Sequence, residues 1–314
     1  MRNVFANELY KHAIKNKKIY ILVSDISPAG NMVSFQKKYP HRFLNVGVSE
    51  QTMIGMCAGL SMEGMRPFAY TISTFALYRP FEMVRNDICY QNLPVTIVGM
   101  GAGTIYSTLG GTHLTQEDIS IARSIPNMSI IAPCDPNELK DVINFCCTKS
   151  KSPIYLRIGK TGEKNFTENC KDKWKFGKIR KISYGNNICL LTFGPIVKKA
   201  FELKDNLKTQ NISTEIYSCH TLKPFDYNGL RKIFKKFKLI VIIEDHSKIG
   251  GLNTIVKTCA YENKYTGKII SYSLKDEFIH CYGSQDDLLE KHNISSKKIY
   301  KNIIGKINES SNIS

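Results

Sequence analysis

Two rhythms alternate along the chain: short solid apolar runs, and stretches with an apolar residue every third or fourth position. The solid runs read as buried strands of a parallel sheet, and the slower rhythm as the inner face of a helix. Residues 4–13 set Val4, Phe5, Leu9 and Ala13 on one helical face, and residues 18–23 follow as a strand. The loop from Ser24 to Gly30 lies at that strand's C-terminal end, where open α/β sheets place their ligands. The spacing then predicts a helix over 32–39, a strand over 43–48 and a helix running to Leu60. In that helix Gly55, Ala58 and Gly59 form a flat face that another backbone can approach. Further strands are predicted at 66–72, 94–100, 130–133 and 154–158, with helices at 81–91 and 137–147.

The same alternation resumes after a polar stretch rich in Lys, Asn and Thr, with strands at 187–193, 213–218, 239–243 and 268–273. The prediction is two consecutive α/β domains, each with a mostly parallel sheet, over residues 1–160 and 176–314, joined by a linker over 161–175. A chain of 314 residues is long enough for each domain to bury its own core.

Composition narrows the class. With 42% hydrophobic and 23% charged residues the chain reads as a globular protein. No run approaches the ~20 apolar residues of a membrane span, and the N-terminus has no signal-peptide core, so a cytoplasmic protein without a membrane partner is expected. The ten cysteines show no C-x-x-C spacing, which argues against a metal site or a redox dithiol in this chain. A formal charge of +17 raises the question of nucleic acid, but no nucleic-acid motif accompanies the scattered lysines, and none is expected as partner. A basic surface also suits anionic substrates or an acidic partner.

Against this background one carboxylate stands out. Glu50 sits at the strand-to-helix junction among almost wholly uncharged neighbours, so it is either a helix cap or a group that meets a ligand. Phe75, Tyr78 and Phe81 recur three residues apart after Ser73-Thr74, as core packing or as an aromatic pocket wall. His113 follows Gly110-Gly111-Thr112 after the 94–100 strand, a position where substrate-facing side chains gather. Arg2 and Arg157 are either solvated surface residues or forks for a phosphate.

The segment 43–60, the Ser-Thr-Phe run at 73–75, the Thr112-His113 pair with Glu117-Asp118 after it, and the 125–133 stretch resemble the transketolase family of thiamin-diphosphate enzymes. Leu191-Thr-Phe-Gly194, Leu222-Lys-Pro-Phe-Asp226, Glu244–Leu252 and Tyr282–Leu288 are similar to that family's C-terminal domain. The resemblance implies a pyrimidine-binding domain followed by the transketolase C-terminal domain. It makes Glu50 the glutamate that hydrogen-bonds the cofactor pyrimidine and drives its activation. It makes Phe75, Tyr78 and Phe81 the pocket for that ring, His113 a catalytic contact to the sugar, and Arg2 and Arg157 substrate-phosphate contacts. It also implies that the segment around His246 is structural, although Glu244, Asp245 and His246 together have the composition of an acid–base set.

Two departures bear on substrate: the family carries an Asp and a His where this chain has Leu109 and Gly101, and both touch sugar hydroxyls. A third bears on assembly. The Gly-Asp-Gly and Asn-Asn signature for the diphosphate and Mg²⁺ is missing, and Asn186-Asn187 stands without its Gly-Asp-Gly. The resemblance therefore covers the C-terminal half of a transketolase. It implies an N-terminal partner subunit that carries the metal ligands, an α2β2 heterotetramer, and transfer of a ketol unit between phosphorylated or nucleotide-linked sugars. The alternatives are a 2-oxo acid dehydrogenase beta subunit, a deoxyxylulose-phosphate-synthase-like enzyme, and a non-catalytic regulatory or nucleic-acid-binding scaffold.

Overall fold

A computed structural model describes residues 1–311. The first domain runs α1 (Arg2–Lys15), β1 (Ile19–Val23), α2 (Asn31–Lys38), β2 (Phe43–Asn45), α3 (Glu50–Met62), β3 (Arg66–Ile72), α4 (Ser73–Leu77), α5 (Phe81–Met83), β4 (Thr96–Met100), α6 (Asp118–Ser124), β5 (Ser129–Ile131), α7 (Pro136–Thr148) and β6 (Ile154–Ile158). Its strands pair in parallel in the order β5-β6-β4-β3-β1-β2. α1 buries Phe5, Ala6, Leu9 and Ala13, the face that its spacing predicts. α7 begins where Pro136 can end its hydrogen-bond ladder at no loss, and the Asp135 side chain accepts from the Glu138 amide at 2.7 Å.

Residues 159–179 hold no helix or strand. The segment is nevertheless pinned, since Asp135 also accepts from the amides of Phe166 and Thr167 at 2.7 Å each. The second domain runs β7 (Arg180–Ser183), β8 (Ile188–Thr192), α8 (Val197–Lys208), β9 (Thr214–Ser218), β10 (Thr221–Lys223), α9 (Tyr227–Lys236), β11 (Leu239–Ser247), α10 (Leu252–Glu262), β12 (Lys268–Leu274), α11 (Gln285–Lys291) and α12 (Ser296–Ser311). Its sheet has the order β12-β11-β8-β9-β7, parallel except for the β7 edge. Both domains are thus α/β with mostly parallel sheets.

Three details depart from the sequence reading, each with a local cause. The strand predicted over 43–48 stops at Asn45, because Asn45 Oδ1 takes the amides of Asp25 and Gly47 at 3.1 and 3.0 Å and Gly47 turns with φ +73°. The helix predicted over 81–91 is a single α-turn followed by a wider π-helical stretch, Val84–Tyr90. The third is β10, which leaves its own domain and adds an antiparallel edge strand to β5 of the first sheet. One apolar cluster accordingly runs through both domains, from Leu22, Met53 and Ile54 past Ile119 and Ala122 to Leu191, Phe193 and Val256.

Candidate functional site

The β1 and β2 ends and the loop before α3 are tied into one rim. Ser24 Oγ donates to the Gly47 carbonyl at 2.7 Å and accepts the Ser49 amide at 3.1 Å. α3 starts directly on this rim, which sets Glu50 in its first turn, where the helix dipole favours an anion. Glu50 is only 3% exposed. Capping is not its work: no side-chain cap is made at this helix, and both carboxylate oxygens instead accept from Arg79 Nη1 at 3.1 Å.

The second wall comes from β3. The chain turns straight from that strand into α4, and Ser73 Oγ meets Thr115 Oγ1 at 2.5 Å, clamping the loop that carries His113. Pro80 has no N–H to continue the helix, so the chain breaks between α4 and α5. Phe75, on the open side of α4, receives the Arg79 guanidinium over its ring face at 4.0 Å. His113 stands edge-on to Phe75 with ring centres 5.2 Å apart. Burial, and then the positive charge of Arg79, lower the His113 pKa below the ordinary histidine value, so its ring is neutral at pH 7.

Glu50, Arg79, Phe75 and His113 therefore form one contiguous corner. Tyr78 and Phe81 belong to its back wall: both are half-buried against the core cluster, and the Tyr78 hydroxyl donates to Glu117 Oε2 at 2.9 Å. Burial, with Asp118 and Glu117 nearby, drives the Tyr78 phenol strongly upward, so it stays protonated.

The floor is shaped by two glycines. A Cβ on Gly101 would lie 2.1 Å from the Tyr106 ring, and one on Gly103 would lie 2.2 Å from Asp245 Oδ2, both at positive φ. Tyr106 thus fills the space beside position 101, and its ring centre is 6.1 Å from that of His113. Lys160 Nζ lies 4.7 Å from the Tyr106 ring centre, and the Arg2 amide donates to the Lys160 carbonyl at 3.0 Å. Arg2 Nε is buried and has no partner among the described residues. The two side chains give the corner a cationic end.

Arg157 stands elsewhere. It is 2% exposed, with Nε on Asp118 Oδ2 and Nη2 on the Asp245 carbonyl, both at 2.8 Å. Tyr155 donates to the same Asp118 oxygen at 2.8 Å. His246 is buried beside Asp118, and burial pushes its pKa down to about 4. Glu244, raised to about 6 by burial, accepts the Leu252 amide at 2.7 Å and the Ser273 hydroxyl at 2.6 Å, holding the start of α10. Arg157, Asp118, Asp245 and His246 form the seam between the two domains.

Sequence reasoning passed over Arg79, Lys160 and Tyr106. Arg79 carried a usable signal, a cation between an aromatic run and a proline; Lys160 and Tyr106 carried none. Asp25, at the rim of β1 with φ +43°, is a further residue in a conformation that a non-glycine side chain rarely adopts.

Comparison with known proteins bears on the two domains. Residues 1–162 match the model of the transketolase pyrimidine-binding domain, and residues 177–299 match that of the transketolase C-terminal domain. The chain is 35% identical over 306 residues to a putative transketolase C-terminal section of Methanocaldococcus jannaschii, covering 97% of this chain and 95% of the relative. It is 27% identical to one of the subunits of the apulose-4-phosphate transketolase of Phocaeicola vulgatus, covering 96% and 95% of the two chains. Among solved structures it is similar to a split-gene transketolase crystallised as an inactive beta4 tetramer, with a TM-score of 0.86, 29% identity and coverage of 96% and 95%.

Proposed function

Because the chain belongs to the transketolase family, we propose that it is the C-terminal subunit of a two-chain transketolase that moves a ketol unit between sugars. The observation that carries this reading is the buried Glu50 carboxylate, bridged by the Arg79 guanidinium to the Phe75 ring face, with a neutral His113 edge-on to that ring. A carboxylate and a flat aromatic face are what an aminopyrimidine ring requires, and the corner already accommodates a planar nitrogen group in the guanidinium of Arg79. The residues therefore fit thiamin diphosphate.

Glu50 would hold, and exchange a proton with, a ring nitrogen of the pyrimidine, while Phe75 stacks on the ring and Tyr78 and Phe81 back the wall. Thiamin diphosphate supplies, when bound, the carbon nucleophile for breaking and making the sugar C–C bond. His113 in its neutral form can donate or accept a hydrogen bond at a substrate oxygen. Arg2 and Lys160 would take the anionic end of the sugar. Arg157 is left out, since its guanidinium is committed to Asp118 and Asp245.

The diphosphate and Mg²⁺ ligands would come from an N-terminal subunit carrying Gly-Asp-Gly and Asn-Asn. Among the described residues no three His, Cys, Asp or Glu side chains gather in a way that could hold a metal. An α2β2 heterotetramer in the cytoplasm suits this division of labour. All ten cysteines are unpaired thiols, as a reducing compartment maintains them, and among the described residues no helix is long and apolar enough to cross a membrane. The sugar is expected to differ from the common pentose phosphates. Leu109 is exposed and Gly101 is filled by Tyr106, so neither offers a polar group to a hydroxyl, and a relative is named for apulose 4-phosphate.

Reconstitution tests the proposal. The purified chain alone should bind thiamin diphosphate weakly and show no transfer activity. Mixed with a partner that carries Gly-Asp-Gly, it should form a complex that binds the cofactor with Mg²⁺ and transfers ketol units. Tight Mg²⁺-dependent binding by the isolated chain would refute the two-chain reading.

A further inference from the structure

The Arg79 guanidinium makes two contacts at once. Nη1 gives hydrogen bonds to both oxygens of Glu50 at 3.1 Å, and the carbon at the centre of its plane lies 4.0 Å from the Phe75 ring centre. A planar group that stacks on Phe75 and donates N–H to Glu50 reproduces the pair of contacts that the proposed function assigns to the cofactor's aminopyrimidine. The two groups cannot share one ring face and one carboxylate. Arg79 is also the sole charge partner that Glu50 has among the described residues, and a buried carboxylate left without one is costly.

Arg79 is equipped to leave. Its side chain is 43% exposed, whereas that of Glu50 is 3% exposed. Its backbone lies in the break between α4 and α5, beside Pro80, and its side chain already reaches solvent. Arg157 offers the contrast, since its 3% exposed side chain has no outward route.

We propose that Arg79 is a built-in placeholder for the cofactor pyrimidine. It occupies the Glu50–Phe75 subsite in the chain without cofactor, keeps the Glu50 charge paired, and must swing out before the ring can enter. This inference rests on the functional reading above. Cofactor then competes with Arg79, and the apparent affinity is reduced by the fraction of molecules in which the guanidinium is out.

The test uses the two-chain complex, with thiamin diphosphate and Mg²⁺ titrated by calorimetry and the cofactor-induced rise in Tm recorded alongside. Arg79→Ala should tighten the apparent Kd by about tenfold, as removal of a competing closed state requires, and should enlarge the cofactor-induced rise in Tm. In a Glu50→Gln background the same substitution should gain much less, because the placeholder has lost its anchor. An unchanged or weaker Kd in an assembled Arg79→Ala complex would overturn the proposal. If that variant does not assemble, Arg79→Lys serves: it keeps the charge but has no plane to stack on Phe75. It should gain affinity by about two- to threefold, and no gain would again overturn the proposal. A wild-type complex that takes up no thiamin diphosphate would instead refute the functional reading itself, and this inference with it.

Discussion

The first domain carries two arginine–carboxylate pairs of opposite character. Arg157–Asp118 lies at the domain seam, with both side chains at most 3% exposed and the arginine divided between Asp118 and the Asp245 carbonyl. Arg79–Glu50 lies at the rim, with the carboxylate buried and the arginine 43% exposed. Both pairs have a histidine nearby, His246 beside Asp118 and His113 beside Phe75 and Arg79. Residue type therefore does not separate the interior cluster from the rim cluster. What separates them is whether every partner is internal, as at Arg157, or whether one partner lies open to solvent, as at Arg79.

The largest effect is expected at Glu50. The Glu50→Gln amide keeps its shape but cannot exchange a proton with the cofactor ring, so turnover of the assembled complex should fall by ~10²–10⁴-fold with assembly intact. Steady-state rates at saturating cofactor, together with light scattering, check it. Turnover within about threefold of wild type would remove Glu50 from the proton-transfer step, since general acid–base assistance is worth far more.

At the seam, Arg157→Ala strands the Asp118 carboxylate and the Asp245 carbonyl in the interior. Breaking one side of a buried pair costs about 3–5 kcal/mol, so urea unfolding should show a correspondingly lower midpoint. Arg79→Ala in the isolated chain should cost less than that, because the guanidinium it removes is partly solvated. Equal losses at the two sites would show that the two pairs are equally buried in effect.

The smallest effect concerns pH. His246 titrates at about 4 in the folded chain against an ordinary 6.5, so the unfolded chain takes up a proton first as pH falls. Its contribution to stability is intact above pH 6.5 and erodes down to about pH 4. A shift of this size corresponds to about 3 kcal/mol. Glu244, raised from 4.5 to about 6, works in the other direction, losing stability as pH rises between those values. The difference between wild type and His246→Gln isolates the histidine: unfolding free energy measured from pH 7 to 4 should fall less steeply in the variant. Parallel curves would show that His246 does not carry the acid sensitivity.

Much of the architecture was legible in the chain's apolar pattern. Alternating solid and periodic apolar runs determine a parallel α/β fold, because strands covered on both faces must be apolar throughout while helices need only one apolar stripe. Glu50 was legible as a junction carboxylate with no neighbouring charge, and the missing Gly-Asp-Gly was legible as an absence. Tertiary structure decided the rest, since those outcomes depend on partners distant in sequence. Arg79 reaches back 29 residues to Glu50, and Arg157 is drawn inside by Asp118 and Asp245, 39 and 88 residues away. Position 101 requires glycine because the Tyr106 ring packs on it, and β10 crosses between domains because the edge of β5 is open to it. Local sequence sets the periodicity of each element. Whether an arginine ends at a solvated rim or in the interior depends on which carboxylate the folded chain brings to it, and on how much water remains there.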